Sequence, residues 1–286
     1  MNPVGLYEKA LPSAWSWDQR LVATADAGYS FAEISVDPSD ERLARLNWPT
    51  GAKADLRRAI AASGVPILTM CLSAHRQYSL GSRIAATRAR GLEIMRRAID
   101  FSVDVGVRIV QVPGYDVFDE QPGDAGTVAR FMDGMYQAVE WASQSGVMLA
   151  LENVDVPMSE SIVSCMEIVR QINSVWFQIY PDMANVTGAG YDPVVELAHC
   201  AGHLVAVHVK DCLPGTIRGV PFKEGIVPFD EVFRVLAALN FRGPLTVEMW
   251  ADMDKTGDPV AAARAARRFV ADLIEKTSEV NCLQAK

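Results

Sequence analysis

The segment Gly-Val-Met-Leu-Ala-Leu-Glu (146–152) combines the three features that decide the fold. It begins with a glycine that follows an amphipathic stretch, continues as an apolar run, and ends with a carboxylate. Glycine just after a helix provides the left-handed cap that turns the chain into the next element. An apolar run of this length is typical of a parallel strand covered by helices. The segment therefore predicts a helix end, a buried strand and a charged group where the strand stops.

The same unit recurs along the 286 residues, in which short apolar runs alternate with longer amphipathic stretches. The predicted strands are residues 4–7, 31–36, 66–73, 108–112, 147–153, 177–180, 204–209 and 245–249. The predicted helices are residues 17–27, 52–63, 87–105, 128–143, 162–172, 193–199, 229–239 and 259–276. Glycines end several helices just before the next strand, at Gly28, Gly64, Gly106, Gly146 and Gly202.

Eight such units with no linker or low-complexity segment predict a single α/β domain over residues 1–286. A closed (β/α)8 barrel, the TIM barrel, suits this pattern better than an open doubly wound sheet. The dinucleotide-binding alternative is further weakened because no G-x-G-x-x-G motif follows the first strand.

The composition narrows the class of protein. Half of the residues are hydrophobic and 22% are charged, which is typical of a soluble globular protein. The formal net charge of −8 disfavours general binding to nucleic acid, because a negative surface repels phosphate backbones. The five cysteines are scattered and form no C-x-x-C pair, so we expect reduced thiols and a cytoplasmic location. We predict neither a signal peptide nor a membrane span, since no apolar stretch approaches roughly eighteen residues.

Four potential metal ligands stand at the ends of consecutive predicted strands. Glu152, Asp182, His208 and Glu248 each close an apolar run in the second half of the chain. Because barrel chemistry lies where strands end and the following loops begin, we expect these side chains to converge. Three carboxylates at one point are strongly unfavourable without a cation among them. The pattern therefore predicts one divalent metal ion, and oxygen ligands with one nitrogen suit Mn²⁺, Mg²⁺, Co²⁺ or Zn²⁺.

Several loop segments are characteristic of a known group of enzymes. They include Gly-Leu-Tyr-Glu-Lys-Ala-Leu-Pro (5–12), Cys-Leu-Ser-Ala-His-Arg (71–76), Trp-Phe-Gln-Ile-Tyr-Pro-Asp (176–182), Val-Ala-Val-His-Val-Lys-Asp (205–211) and Val-Glu-Met-Trp (247–250). With them the sequence resembles the xylose-isomerase-like barrel superfamily of sugar isomerases and epimerases. Within it, the sequence is most similar to the L-ribulose-5-phosphate 3-epimerase family, also called L-xylulose-5-phosphate 3-epimerases. It departs from that pattern after the seventh strand, where Lys223-Glu224-Gly225 replaces a common Gly-x-Gly.

The resemblance implies a function that agrees with the residues. Glu152, Asp182, His208 and Glu248 match the family's metal ligands, and the two glutamates match its acid–base pair. In a ketose the hydrogen on C3 is weakly acidic because it lies next to the C2 carbonyl. Inverting C3 requires one group to remove that proton and another to return a proton to the opposite face of the enediolate. We therefore expect epimerisation of L-ribulose 5-phosphate and L-xylulose 5-phosphate by proton transfer between Glu152 and Glu248.

A sugar phosphate needs cationic or hydrogen-bonding groups near the mouth of the barrel. The candidates are Lys9, His75, Arg76, Lys210 and Arg218, which follow predicted strands one, three and seven. Glu33 lies in the middle of a predicted strand, so it either points into the barrel toward the substrate or belongs to a structural ion pair.

Other functions remain compatible with the same four ligands. The site could epimerise free ketoses, or move a carbonyl between C1 and C2 as an aldose–ketose isomerase. Endonuclease IV-like DNA repair uses more histidines than the four in this chain and is disfavoured, as is a non-catalytic sugar-binding barrel. The expected partner is a small sugar or sugar phosphate, with no nucleic acid or membrane, and a homodimer is left open.

Overall fold

The computed structural model describes residues 2–118, 123–253 and 257–284. The strands are β1 (Val4–Tyr7), β2 (Phe31–Ser35), β3 (Ile67–Cys71), β4 (Ile109–Pro113), β5 (Met148–Glu152), β6 (Phe177–Ile179), β7 (Val207–Val209), β8 (Asp211–Leu213), β9 (Thr216–Val220) and β10 (Leu245–Val247). The helices are α1 (Trp17–Asp26), α2 (Asp40–Ala44), α3 (Thr50–Ser63), α4 (Ala85–Val105), α5 (Thr127–Ser145), α6 (Ile162–Ile172), α7 (Met183–Gly188), α8 (Pro193–Leu197), α9 (Phe229–Ala238) and α10 (Pro259–Gln284).

The barrel consists of eight parallel strands, hydrogen-bonded in the order β6-β5-β4-β3-β2-β1-β10-β7. Parallel bridges from Ile179 to Leu204 and from Asp182 to His208 join the two ends of this sheet. The closed (β/α)8 barrel predicted from the alternation of strands and helices is therefore confirmed. Strands β8 and β9 form a separate antiparallel hairpin between β7 and α9.

Glycine shapes the barrel at the helix ends and between two strands. Gly64 and Gly106 follow α3 and α4 with φ angles of 70° and 89°, the left-handed caps expected before β3 and β4. Gly5 in β1 has a different role, because a Cβ there would lie 2.1 Å from the Phe31 ring of β2. A side chain at position 5 would displace a fully buried aromatic ring.

Some short elements were not predicted from the sequence. Helices α2 and α7 have five and six residues, too few to show a clear helical periodicity. The first turn of α7 is capped by Asp182, whose side chain accepts hydrogen bonds from the backbone of Ala184 and Asn185. Among the described residues, no helix has the length and apolar character needed to cross a membrane.

Candidate metal centre and active site

The four predicted ligands converge at the carboxyl-terminal end of the barrel. One ligand atom from each of Glu152, Asp182, His208 and Glu248 lies within 4.8 Å of the others. Glu152 ends β5 and Glu248 directly follows β10, while the parallel bridge sets Asp182 beside His208. The side chains are buried, so the cluster lies at the bottom of a cavity rather than on the surface.

The His208 ring is oriented by contacts on both of its nitrogens. Nδ1 lies 2.8 Å from Oε1 of Glu152 and 3.4 Å from Oε2 of Glu248. Nε2 lies 2.7 Å from Oε1 of Glu33, on the opposite side of the ring. In this arrangement Nδ1 could bind a metal ion while Nε2–H donates to a carboxylate, the usual way in which a metal-binding histidine is held.

Glu33 therefore supports the centre from inside the barrel. Its side chain is fully buried, and its second oxygen accepts hydrogen bonds from Thr69 Oγ1 at 2.7 Å and Tyr180 OH at 2.9 Å. With both carboxylate oxygens engaged by protein groups, Glu33 does not reach the cavity. Of the two roles that the sequence left open for Glu33, the structure shows the structural pair, formed with His208, and not a side chain that lines the cavity.

The residues of the cluster fit a divalent cation. Oδ2 of Asp182 and Oε2 of Glu248 are buried, and among the described residues Lys210 is the lysine that pairs with them, at 2.7 and 3.3 Å. One lysine does not neutralise three converging buried carboxylates, and such like charges are costly unless a further cation binds among them. Three carboxylates and one imidazole are a ligand set that Mn²⁺, Mg²⁺, Co²⁺ and Zn²⁺ accept. The group can thus hold one divalent metal ion.

The two glutamates have different electrostatic surroundings. Burial raises the pKa of Glu152 to about 7, although its hydrogen bond with His208 opposes the shift. Burial also acts to raise the pKa of Glu248, but Lys210 and His208 outweigh it and bring that pKa below its ordinary value. The pair is therefore asymmetric, with the charged form favoured more strongly at Glu248.

A cavity of about 340 Å³ opens above the cluster. Glu152 and Glu248 both line it, as do four of the cationic side chains predicted to contact the substrate: Lys9, Arg76, Lys210 and Arg218. Lys9 Nζ is paired with Asp37 at 2.7 Å, and the Arg76 guanidinium lies 3.9 Å from the centre of the Phe118 ring. The structure thus brings these cations and the acid–base candidates into one cavity.

His75 is placed differently from the prediction. Its side chain is buried, and Nε2 lies 3.1 Å from the carbonyl oxygen of Gly91 in α4. Burial lowers the pKa of this imidazole to about 4, so the ring is neutral near pH 7. The ring packs against α4 instead of lining the cavity, and a neutral buried imidazole does not serve as a phosphate-binding cation.

Asp211 organises the loop that carries Arg218 and was missed in the sequence. Its carboxylate accepts hydrogen bonds from the backbone N–H groups of Cys212, Lys223, Gly225 and Val227 at 2.9–3.2 Å. A Cβ at Gly225 would lie 2.1 Å from Oδ1 of Asp211, which explains why glycine is required there. The signal in the sequence is an acidic residue directly after a buried strand, followed by a glycine in the same loop.

Asn153 and Asn185 form a hydrogen-bonded frame beside the candidate ligands. Asn153 accepts a hydrogen bond from the backbone N–H of Asp182 at 2.8 Å and donates to its carbonyl at 3.1 Å. Asn185 donates to the carbonyl of Asn153 at 2.9 Å. These bonds connect the loop after β5 to the start of α7, and so fix Asp182 relative to Glu152.

Known proteins resemble this chain in sequence over nearly all of its length. The sequence model of the xylose isomerase-like TIM barrel family matches residues 21–273. L-ribulose-5-phosphate 3-epimerase UlaE of Escherichia coli (strain K12) is 44% identical over 278 residues, which are 97% of each chain. The protein of the same name from Salmonella heidelberg (strain SL476) is 44% identical over 268 residues, 94% of this chain and 93% of that protein.

Solved structures show the same barrel at lower sequence identity. An L-ribulose 3-epimerase structure superimposes with a TM-score of 0.82 at 20% identity, covering 100% of this chain and 99% of the other. A D-psicose 3-epimerase, solved in the presence of D-fructose, gives a TM-score of 0.79 at 17% identity, covering 95% and 99%. At such identities the likeness establishes the fold alone.

Proposed function

Because the chain belongs to the xylose isomerase-like TIM barrel family, and within it to the L-ribulose-5-phosphate 3-epimerases, we propose that it is an isomerase acting on C3 of a ketopentose phosphate. Its substrates would be L-ribulose 5-phosphate and L-xylulose 5-phosphate, and its cofactor one divalent metal ion. The observation that carries the proposal is that Glu152 and Glu248 line one cavity and cluster with Asp182 and His208, one ligand atom from each lying within 4.8 Å of the others.

Two carboxylates flanking a flat intermediate meet the chemical need of epimerisation. Glu152 and Glu248 come from β5 and β10, which flank β6 and β7 in the closed barrel, so Asp182 and His208 lie between them. One glutamate removes the C3 proton from one face of the sugar, and the other returns a proton to the opposite face. A bound divalent ion would polarise the C2 carbonyl and stabilise the negative charge that develops on the substrate oxygens. The roles of the two glutamates exchange with the direction of the reaction.

The cations of the cavity favour a phosphorylated substrate. Lys9, Arg76 and Arg218 line the wall of the cavity that holds the two glutamates. Arg218 belongs to β9 in the loop that Asp211 anchors, whereas Lys9 and Arg76 follow β1 and β3. Guanidinium and ammonium groups on opposite loops are suited to holding the phosphate while the ketose lies over the carboxylates. We therefore assign Lys9, Arg76 and Arg218 to phosphate recognition.

A direct product analysis tests the proposal. The metal-loaded protein is incubated with L-ribulose 5-phosphate, and the sugar phosphates formed are identified. A parallel reaction with free L-ribulose gives its rate of turnover for comparison. We expect L-xylulose 5-phosphate. Formation of L-arabinose 5-phosphate instead would indicate aldose–ketose isomerisation, and faster turnover of free L-ribulose would contradict the phosphate assignment.

A cytoplasmic location and a homodimeric assembly also remain proposals. Cys71, Cys165, Cys200 and Cys212 are buried free thiols, which supports a reducing compartment. Thiol titration under denaturing conditions would count the free cysteines, and light scattering of the purified protein would give the number of chains per particle.

A further inference from the structure

Lys210 occupies an unusual position for a predicted phosphate-binding residue. Its side chain is 5% exposed, and Nζ lies 2.7 Å from Oδ2 of Asp182 and 3.3 Å from Oε2 of Glu248. The same ammonium donates to Oδ1 of Asn185 at 3.0 Å. The three N–H groups of the lysine thus face three acceptors of the protein, two of them on proposed metal ligands. This contact pattern belongs to the reaction centre rather than to the mouth of the cavity.

The carboxylates around His208 carry more negative charge than one divalent ion can balance, so the positive charge of Lys210 matters. Four carboxylates, those of Glu33, Glu152, Asp182 and Glu248, surround the His208 ring within 4 Å. A single divalent ion balances two of these charges. Among the described residues, Lys210 is the only lysine or arginine in ion-pair contact with any of the four. A sugar phosphate adds negative charge, and loss of its C3 proton adds more, so an uncompensated centre would repel both.

The position of Lys210 is fixed by the frame that fixes the ligands. Asn185, which accepts from Lys210, also donates to the carbonyl of Asn153. Asn153 in turn exchanges two hydrogen bonds with the backbone of Asp182. The Trp250 ring, with its centre 6.0 Å from Nζ, covers another side of the ammonium. A long flexible side chain is therefore held as a fixed charge, which lowers the entropic cost of its contacts.

We propose that Lys210 is a positioning residue of the reaction centre, a built-in counter-cation that holds the Glu248 carboxylate and offsets the charge of the carboxylate cluster. In this role, which rests on the proposed function, it lets an anionic substrate bind over the metal site and lose a proton there. It replaces the phosphate contact expected from the sequence. The role has a distinctive consequence, because a fixed cation beside the ligands repels the metal ion while it assists the chemistry.

The test compares Lys210→Met with the wild type in metal affinity and in turnover. We expect Lys210→Met to bind Co²⁺ or Mn²⁺ as tightly as the wild type or more tightly, measured by competition with a chelator. We expect its kcat to fall by roughly 10- to 100-fold in the metal-loaded enzyme, as is typical when the partner of a metal ligand is lost. Lys210→Arg keeps the charge, so its kcat should lie closer to that of the wild type.

Lys9→Met is the matched control for the metal measurement. Lys9 lines the same cavity, but its ion pair is with Asp37, so removing it should leave metal affinity unchanged and act on KM for the phosphate. Thermal unfolding of each metal-loaded variant reports whether it folds. Weaker metal binding in a folded Lys210→Met would show that the lysine only holds the Asp182 side chain in place for the metal ion. Equal losses of kcat in Lys210→Met and Lys210→Arg would show that the charge of the lysine does not matter. Either result overturns the proposal.

These outcomes are separable from failure of the proposed function. If the wild type epimerises neither sugar, the assignment of the substrate is wrong. The metal affinities of the wild type, Lys210→Met and Lys9→Met would still decide whether Lys210 opposes the metal ion as a fixed cation.

Discussion

Oε1 of Glu33 and Nε2 of His208 lie 2.7 Å apart, and both side chains are enclosed in the barrel. The contact directs the other nitrogen of the imidazole at three carboxylates. Either Nδ1 or Nε2 of a neutral histidine can carry the proton, and the other nitrogen is then free to bind a metal. A buried carboxylate beside one nitrogen favours the proton on that nitrogen. The candidate metal site thus depends on a strand residue that lies outside the lining of the cavity.

Replacing Glu33 with glutamine should weaken metal binding. The amide still accepts a hydrogen bond from Nε2 of His208, but it removes the negative charge that makes the imidazole a better ligand. We expect divalent metal affinity to fall by roughly 10-fold or more. Thr69→Val is the control, because it removes one donor to Glu33 and leaves the Glu33–His208 contact in place. Equal metal affinities for Glu33→Gln and the wild type in chelator competition would contradict this role.

The metal ion should also stabilise the fold. Freshly purified protein should contain about one divalent ion per chain, because three buried carboxylates converge with His208 and the one lysine beside them, among the described residues, does not neutralise their charge. Removing the ion with a chelator should abolish activity, and Mn²⁺ should restore it. Adding metal at a hundred times its Kd should raise the free energy of unfolding by about 2.7 kcal/mol, visible as a higher Tm. Full activity in a sample shown to be metal-free by elemental analysis would end the metal hypothesis.

The sequence predicted the four ligands because their signal is local. Each closes an apolar run, and parallel strands of a barrel end at the same edge, so their convergence follows from the strand pattern. The roles of Glu33 and His75 could not be obtained in this way. Whether a strand residue such as Glu33 meets His208 depends on closure of the barrel, which joins residues 175 positions apart. His75 likewise contacts Gly91, whose position is set by the packing of α4.

The loop after β7 shows a second limit of sequence patterns. Asp211 bonds to backbone groups as far away as Val227, and these bonds place the β8–β9 hairpin over the cavity. Hydrophobic periodicity indicates helices and strands but not hydrogen bonds between a side chain and a distant backbone group. The structure of this loop therefore could not be predicted from the sequence pattern. The cations of this loop could be identified as candidates, and both line the cavity, but only the fold shows that Lys210 pairs with Asp182 and Glu248.

Arg218 should discriminate phosphorylated from free sugar. Arg218→Ala removes one cation from the wall of the cavity while leaving the four ligands unchanged. We expect kcat/KM for L-ribulose 5-phosphate to fall by roughly 10- to 100-fold, the usual loss when one charge-assisted contact of about 1.5–3 kcal/mol is removed. The same ratio for free L-ribulose should change much less. A parallel loss on both sugars would place Arg218 against the ketose instead of the phosphate.

His75 should make the fold sensitive to mild acid. In the folded chain its pKa is about 4, below the ordinary value of 6.5 for histidine, so between these values the unfolded chain binds a proton that the folded chain does not. The contribution of His75 to stability is therefore complete above pH 6.5 and is lost as the pH falls toward 4. At pH 5 the loss is about 2 kcal/mol. His75→Gln keeps a donor for Gly91 and does not titrate.

The measurement for His75 is the free energy of unfolding in urea, taken for the wild type and His75→Gln from pH 5 to pH 7.5. The difference between the two proteins isolates the histidine, because the metal ligands respond to pH in both. We expect the wild type to lose stability faster than the variant as the pH falls. Parallel curves would mean that the ring titrates normally in the folded protein.

The acid–base pair gives the most direct test of the proton-transfer mechanism. Glu152→Gln and Glu248→Gln are nearly isosteric, so each should leave a folded barrel. Each should lower the rate by roughly two to four orders of magnitude, since one proton transfer is lost, and by more if metal affinity falls as well. In the proposed mechanism both residues act on one proton path, so the double variant should be little slower than either single one.

Solvent deuterium separates this mechanism from a hydride shift. A carboxylate exchanges its proton with solvent between turnovers, so reaction in D₂O should place deuterium at C3 of the recovered substrate and product. A hydride shift between C1 and C2 would leave C3 unlabelled. The metal-loaded wild type is therefore run in D₂O with turnover confirmed by product analysis, and C3 is examined by NMR. Epimerised product without deuterium at C3 would exclude proton transfer between Glu152 and Glu248, even with the fold and the metal site intact.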